Sequence, residues 1–182
     1  MNTGGDQPTA ATAIFPMAPL IRFTLISLYL ALVLPLPVLA PPELQGWLSA
    51  ALPLGLSLIL ALVSERVELS NAGIRVGHPD WCAWLLRRGW QLRWDQITAL
   101  TPVATSQGGR VFYVRTEDRS AYLLPQRVQA FEDFLTRFSQ HTGLNTSSIG
   151  RISPPWTYQV LALLCGALLS SEVIVWAVGL FG

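Results

Sequence analysis

The chain has 182 residues, 51% of them hydrophobic and only 13% charged, against about 25% charged in an ordinary soluble domain, and its mean hydropathy is +0.42. A net charge of +1, with no run of five basic residues, excludes a nucleic-acid footprint. The two cysteines, Cys82 and Cys165, supply neither a disulfide framework nor a metal spacing and read as small packing residues.

Residues 1–18 contain Gly4-Gly5, Pro8 and Pro16 without a regular period, and are expected to form a disordered tail. Arg22 precedes an apolar run that ends in Val38-Leu39-Ala40, which mimics a secretory signal. Asp6 is the only charge ahead of Arg22 and Pro41 would follow the cut, so an uncleaved helix is the better expectation. Residues 19–63 then read as a transmembrane hairpin, since Pro19 to Ala40 and Leu44 to Val63 each supply about 20 apolar positions. Pro35 and Pro37 stop or kink the first helix, Pro41-Pro42 turn the chain, Glu43 suits the next N-terminus, and Pro53 with Gly55 predict a kink.

Residues 64–143 are the long stretch with soluble character, carrying ten of the twelve arginines. Arg66 to Ser70 and Gly73 to His78 flank Asn71-Ala72-Gly73, a hairpin signal. Trp81 to Leu86 is a further short apolar run, Arg87-Arg88-Gly89 a turn, and Trp90, Leu92 and Trp94 alternate with polar residues at period two, so that they share one face of a strand. Ile97 to Val103, Arg110 to Thr116 and Arg119 to Leu124 complete seven expected strands, separated by Ser106-Gln107-Gly108-Gly109 and by Glu117-Asp118. After Pro125 the period becomes 3.6, with Val128, Phe131, Phe134, Leu135 and Phe138 within about 120° of arc. Asp133 and Arg137 form an i,i+4 pair on the other face, and Gly143 stops the helix. Residues 144–156 form a polar linker, and residues 157–181 a third spanning helix interrupted by Glu172.

Seven short strands closed by one amphipathic helix beside membrane helices resemble the bacterial pleckstrin-homology-like (PH-like) domains of membrane-flanked families. Leu92-Arg93-Trp94-Asp95-Gln96-Ile97 is the most specific piece. The resemblance covers about Glu65 to Gly143 and implies an α+β membrane protein: three transmembrane helices with a cytoplasmic seven-stranded PH-like β-barrel capped by a C-terminal helix. It also implies a non-catalytic scaffold or assembly factor, binding a protein partner or lipid headgroups, and transfers no active site. The alternative is an accessory subunit of a membrane transport or photosynthetic complex.

Arginines near helix ends (Arg22, Arg66, Arg75, Arg151), and none in the loop at Glu43, place the N-terminus and module in the cytoplasm of a bacterial inner membrane, or on the equivalent face of a thylakoid in a photosynthetic organism. Between Ser64 and Trp156 eleven arginines oppose eight acids, which suits an anionic membrane face.

Trp81, Trp84, Arg87, Arg88 and Arg93 combine indoles that favour headgroup depth with guanidiniums that pair phosphate, and are the expected lipid- or partner-binding residues. The plainer alternative makes Trp90 and Trp94 core and the arginines solvated. Ala162, Gly166 and Ser170 make a small-residue seam which, with Glu172, is the expected intramembrane contact with a membrane-protein partner or a second copy. His78-Pro79-Asp80 repeats the J-domain cochaperone tripeptide but follows a hairpin, so a loop is expected. No catalytic constellation, cofactor motif or metal spacing is visible in the sequence.

Overall fold

The computed structural model describes residues 12–86, 89–106, 109–150 and 155–181. Met1 to Ala11, the Arg87-Arg88 pair, Gln107-Gly108 and Arg151, all used in the sequence reading, lie outside the described residues.

The first difference from expectation is at the N-terminus, where β1 (Ala13–Pro16) is a strand and not a tail. The chain then enters α1 (Pro19–Val33), breaks at Leu34-Pro35, continues as the short α2 (Leu36–Leu39), and returns through α3 (Pro42–Leu62). A proline nitrogen has no hydrogen to give to a carbonyl four residues back, so Pro35 and Pro37 end α1 where the sequence puts them.

Out of α3 the chain forms β2 (Arg66–Leu69) and β3 (Gly73–Gly77), paired antiparallel around the expected turn. Gly73, at the end of that turn, lies against the Leu92 carbonyl of the neighbouring strand, where a Cβ would collide. Residues 81–86 are not a strand: Asp80–Ala83 form the single helical turn α4, started by Pro79 and an acidic first position. β4 (Trp90–Arg93) then pairs with β3, and a 3-10 turn at Trp94–Gln96 carries the chain into β5 (Ile97–Ala104), β6 (Arg110–Thr116) and β7 (Ala121–Leu123).

Among the described residues the strands make two antiparallel sheets, ordered β1-β2-β3-β4 and β5-β6-β7, and no closed barrel. The count of seven matches expectation only because β1 replaces the run at 81–86. Pro102 is tolerated within β5 because β5 is an edge strand.

Period-two alternation decides which side chains enter the core. From the first sheet come Phe15, Val67, Leu69, Ile74, Val76 and Leu92, and from the second Ile97, Phe112 and Val114. Trp90, Leu92 and Trp94 all pack against this core, as their spacing requires, although Trp94 belongs to the 3-10 turn.

The amphipathic helix α5 (Phe131–Thr142) lays Phe131, Phe134 and Phe138 into the same core, each fully buried. Phe134 meets Phe15 edge-on at 5.7 Å, and Trp94 meets Phe138 at 5.8 Å. Gly143, with φ of +70°, ends α5 in the left-handed conformation, and Asp133 pairs with Arg137 at 3.1 Å. Val128, expected on the helix, instead sits just before it in an extended bridge with Met17.

The segment after α5 returns along the module and packs Leu144 and Ile149 on the core. Gln126 holds its end, donating from Nε2 to the Gly150 carbonyl at 2.6 Å, and the chain continues into α6 (Pro155–Phe181). Three helical stretches, Pro19–Leu39, Pro42–Leu62 and Trp156–Val178, are long and apolar enough to cross a membrane.

Candidate functional site

The strand registers fix which end of the module faces the helices. Pro16, three residues before α1, pairs with Arg66, four residues after α3, and Arg66 pairs with Gly77. The Ala18 amide donates to the Arg127 carbonyl and the Gln129 amide to the Pro16 carbonyl, bringing the segment before α5 to that end too. Because β1 precedes α1 and β2 follows α3, the N-terminal strand and the module lie on the same side of any bilayer that both helices cross.

At this end α4 is fastened to the exit of α3. Cys82 is buried, its Sγ 3.3 Å from the Ser64 hydroxyl and 3.5 Å from the Pro79 carbonyl. Ser64 donates in turn to the Ala61 carbonyl in the last turn of α3. With Cys82 turned inward, its neighbours on α4 and just after it turn out: Trp81 is 59% exposed, Trp84 80% and Leu85 53%. The Trp84 Nε1 donates to the Trp81 carbonyl at 3.0 Å, satisfying its one polar atom locally. A short ledge of apolar side chains thus stands beside the point where the chain leaves α3.

Arg93 does not belong to this ledge. It pairs with Gly73 at the far end of β4, a strand about 10 Å long, and makes a two-pronged ion pair with Asp95 (Nε–Oδ1 3.1 Å, Nη2–Oδ2 2.8 Å). The expected set is therefore divided: Trp81 and Trp84 stand together, Arg93 is remote, and Arg87 and Arg88 lie outside the described residues. Trp90 and Trp94 are held by packing, Trp90 on Tyr122 at 5.4 Å and Trp94 stacked on His141 at 4.6 Å.

Sequence reasoning missed a cleft of about 230 Å³ beside the ledge, lined by Arg75, Val76, Gly77, His78, Ala83, Gly89, Trp90 and Gln91. The only signal for it in the sequence was the pair of glycines bracketing α4. Arg75 and Gln91 are cross-strand partners on the outer face of the sheet, and Gly77 and Gly89 continue that face without side chains. Gly89 has to be glycine, because a Cβ would run into the Val76 carbonyl.

In the helices, α1 packs against both α6 and α3, more extensively against α6. The fully buried Thr24 donates to the Leu20 carbonyl at 2.7 Å and reaches the Tyr158 carbonyl of α6 at 3.3 Å. On the other side Gly55 of α3 makes room for Tyr29, whose hydroxyl donates to the Leu52 carbonyl at 2.6 Å.

The expected intramembrane set divides as well. Tyr158, Leu161, Ala162, Cys165, Leu169 and Glu172 are buried or half-buried and span about 100° of arc, a stripe that includes the Tyr158 contact with α1. Ala162 and Glu172 thus lie on the packed stripe, whereas Gly166 and Ser170 lie on the exposed flank, with open space where a Gly166 Cβ would project. No ion pair to Glu172 occurs among the described residues.

Among the described residues no group of three or more His, Cys, Asp or Glu side chains is placed to hold a metal ion. Among the described residues the one displaced titration lies away from the helices, at the β6–β7 turn. There hydrogen bonds from the Thr116 hydroxyl and then from Ser120 hold the Asp118 carboxyl below its usual range.

Fold and geometry together define an α+β protein: a two-sheet module capped by a helix and joined to three helices long and apolar enough to cross a membrane. The chain belongs to the family of the uncharacterized protein slr0269 of Synechocystis sp. (strain ATCC 27184 / PCC 6803 / Kazusa), being 41% identical to it over an alignment that covers 94% of this chain and 95% of that protein. No family model matches the chain, and no solved structure matches it.

Proposed function

We propose that this chain is a non-catalytic integral-membrane scaffold or assembly factor whose module is held against the membrane surface and binds lipid headgroups or a protein partner there. One observation carries the reading: Trp81 and Trp84 stand exposed on α4 while Cys82 ties α4 to the end of α3. Indoles prefer the headgroup layer, and a ledge fixed at a helix exit sits at that depth. The PH-like assignment is part of the proposal, supported by four-stranded and three-stranded antiparallel sheets followed by one amphipathic helix. The cytoplasmic side is proposed because Arg22 lies in the first turn of α1 and Arg66 and Arg75 follow α3, while Glu43, in the first turn of α3, is the only charged residue between the end of α1 and the end of α3. The same logic proposes a bacterial inner membrane, or a thylakoid, as the location.

The experiment compares spin labels at Trp84→Cys and Arg93→Cys in full-length protein in lipid nanodiscs, with Cys82→Ser and Cys165→Ala as background. Accessibility to oxygen and to a water-soluble relaxation agent should place the first label among headgroups and the second in water. Equal aqueous exposure of the two labels would remove the basis of the reading. Side is read separately, by reaction of an impermeant thiol reagent with Glu117→Cys in sealed cells; labelling from outside overturns the orientation.

A further inference from the structure

We propose that the outer face of the second sheet is a docking surface for one amphipathic helix of a protein partner, which lays its apolar side on Tyr113 and Leu123 and sets an acidic residue on Arg115. The proposal deepens the partner-binding part of the scaffold reading, on a surface separate from the ledge of α4.

The two sheets differ on their outer faces. Strand register puts Ile14, Glu68, Arg75 and Gln91 in one row across the outside of the first sheet, where Glu68 holds Arg66 at 2.8 Å and Arg75 at 3.9 Å. That is a face made for water. In the second sheet Leu100, Phe112, Val114 and Tyr122 pack on the core, so period-two alternation sends Val111, Tyr113 and Arg115 outward. Val103 stands opposite Val111, and Tyr113 lies between Thr101 and Leu123. Val103 and Leu123 are 40% and 46% exposed. An antiparallel sheet with one face on its core carries polar residues on the other, whereas a contiguous apolar outer face marks a surface that another molecule covers.

Arg115 supplies the chemistry of the occupant. It is half-buried between Ala99 and Ala121 at the end of the apolar rows, and it forms no ion pair among the described residues. A guanidinium set in an apolar surface calls for a carboxylate, and tyrosine and arginine are residues on which docking energy concentrates.

Size and edge chemistry select a helix. Three strands about 4.8 Å apart span roughly 10 Å, and Ala99 to Val103 run roughly 13 Å, which about two to three turns of one α-helix cover. A second copy laid face to face would bury far less than the roughly 800 Å² per partner of a stable interface. An added strand is disfavoured as well. The Phe112 carbonyl accepts from Leu124 of the β7 side, so Pro102 opposite it turns its nitrogen to the free edge of β5, where it has no N–H to give.

Position favours a protein over the bilayer. Trp94 Nε1 donates to the Ser70 carbonyl in the β2–β3 turn, so the Ile97–Thr116 end of the sheet lies away from the helices. Arg110, at the opposite end, is tied through Gln126 to Gly150 ahead of α6. The face therefore runs lengthwise along the side of the module, and a bilayer crossed by the helices would meet only one end of it.

The test places p-benzoylphenylalanine in place of the exposed Ala121 in the full chain, irradiates the membranes of cells that naturally make the protein, and sequences the crosslinked peptide by mass spectrometry. One adduct is expected, on a peptide with apolar residues at helical spacing and an Asp or Glu beside them. A synthetic peptide of that sequence should bind the purified chain in detergent. Arg115→Glu should weaken that binding about tenfold, and a peptide whose acid is changed to arginine should restore it. Leu123→Glu, at an exposed position, should abolish both adduct and peptide binding while near-ultraviolet circular dichroism is unchanged. The same crosslinker in place of Gln91, on the charged face, should give no such adduct.

An adduct with lipid or with a second copy, a peptide without an apolar stripe, no adduct at all, or binding indifferent to Arg115→Glu overturns the proposal. The spin-label result stands apart: a water-exposed Trp84 position sinks the ledge and leaves this face, and a missing adduct sinks this face and leaves the ledge.

Discussion

Phe134 in the module is fully buried, whereas Phe23 on α1 is 70% exposed, although both are large aromatic residues on helices. The same contrast runs through the chain. The module gathers a core of buried residues from both sheets and α5, while only 17% of the most apolar window of the first span and 6% of those of the other two is buried. A helix apolar on one face buries that face against protein; a helix apolar all round needs an apolar solvent. Three of the helices are apolar enough to cross a membrane, and Pro16, Ser64, Cys82 and Gly150 lie where the module joins them.

The sharpest way to break that comparison is to truncate one member of each class. Phe134→Ala should destabilise the module by about 3 to 5 kcal/mol, as a large-to-small change in a close-packed core, and Phe23→Ala should leave the module's unfolding where it is. Urea denaturation of the full protein in detergent, followed by near-ultraviolet circular dichroism, reads both. Equal midpoints would mean that the module is not packed as described.

Phe15→Ala comes next, at about 3 kcal/mol, because Phe15 is buried against Phe134 from a strand that precedes the first helix. The same denaturation checks it, and no effect would make β1 an ornament on the sheet edge. A fragment of residues 64–143 lacks that strand and should melt below the full chain.

Within the helices, Gly55→Ala and Gly166→Ala sharpen the difference between packed and open flanks. A Cβ at Gly55 collides with the Tyr29 hydroxyl, so that variant should lose about 1 to 3 kcal/mol and the Tyr29–Leu52 hydrogen bond. Gly166 faces open space, and its variant should unfold like wild type. A changed native mass for Gly166→Ala alone would show a second helix seated on that flank.

The smallest effect belongs to Asp118, at a fully exposed turn. Its carboxyl is held below its usual range by Thr116 and Ser120, so the native state favours the charged form. That contribution is complete above the ordinary carboxylate pKa and is lost as the pH falls through the lowered one. Asp118→Asn should flatten the acid limb of the stability profile and leave the module's slope near neutral pH unchanged.

Much of this was legible because it is local. About 20 apolar residues in a row specify a spanning helix wherever they occur, the 3.6 period sends Phe131, Phe134 and Phe138 to one face, and Gly143 ends α5 through its own φ. The run at 81–86 misled because a short apolar segment carries no period; Cys82 faces Ser64 while its tryptophans turn out, as a helical turn requires. Arg93 looked like part of the ledge by proximity in sequence, but a strand separates its ends by its own length.

What the sequence by itself determined is therefore the hydropathy of each segment and the periodicity that sorts its side chains, since both are written in runs of neighbouring residues. Only the tertiary structure decided that Phe15 completes the module's core, that Cys82 binds α4 to α3, and that Arg75 and His78 share a cleft floored by Gly77 and Gly89. Each of these joins positions whose nearness depends on strand register or on two helices folding back, and β1 could not be read from its own four residues. A four-residue strand has too little period of its own to be seen; it becomes a strand because α1 and α3 return the chain to its edge and β2 offers it hydrogen bonds.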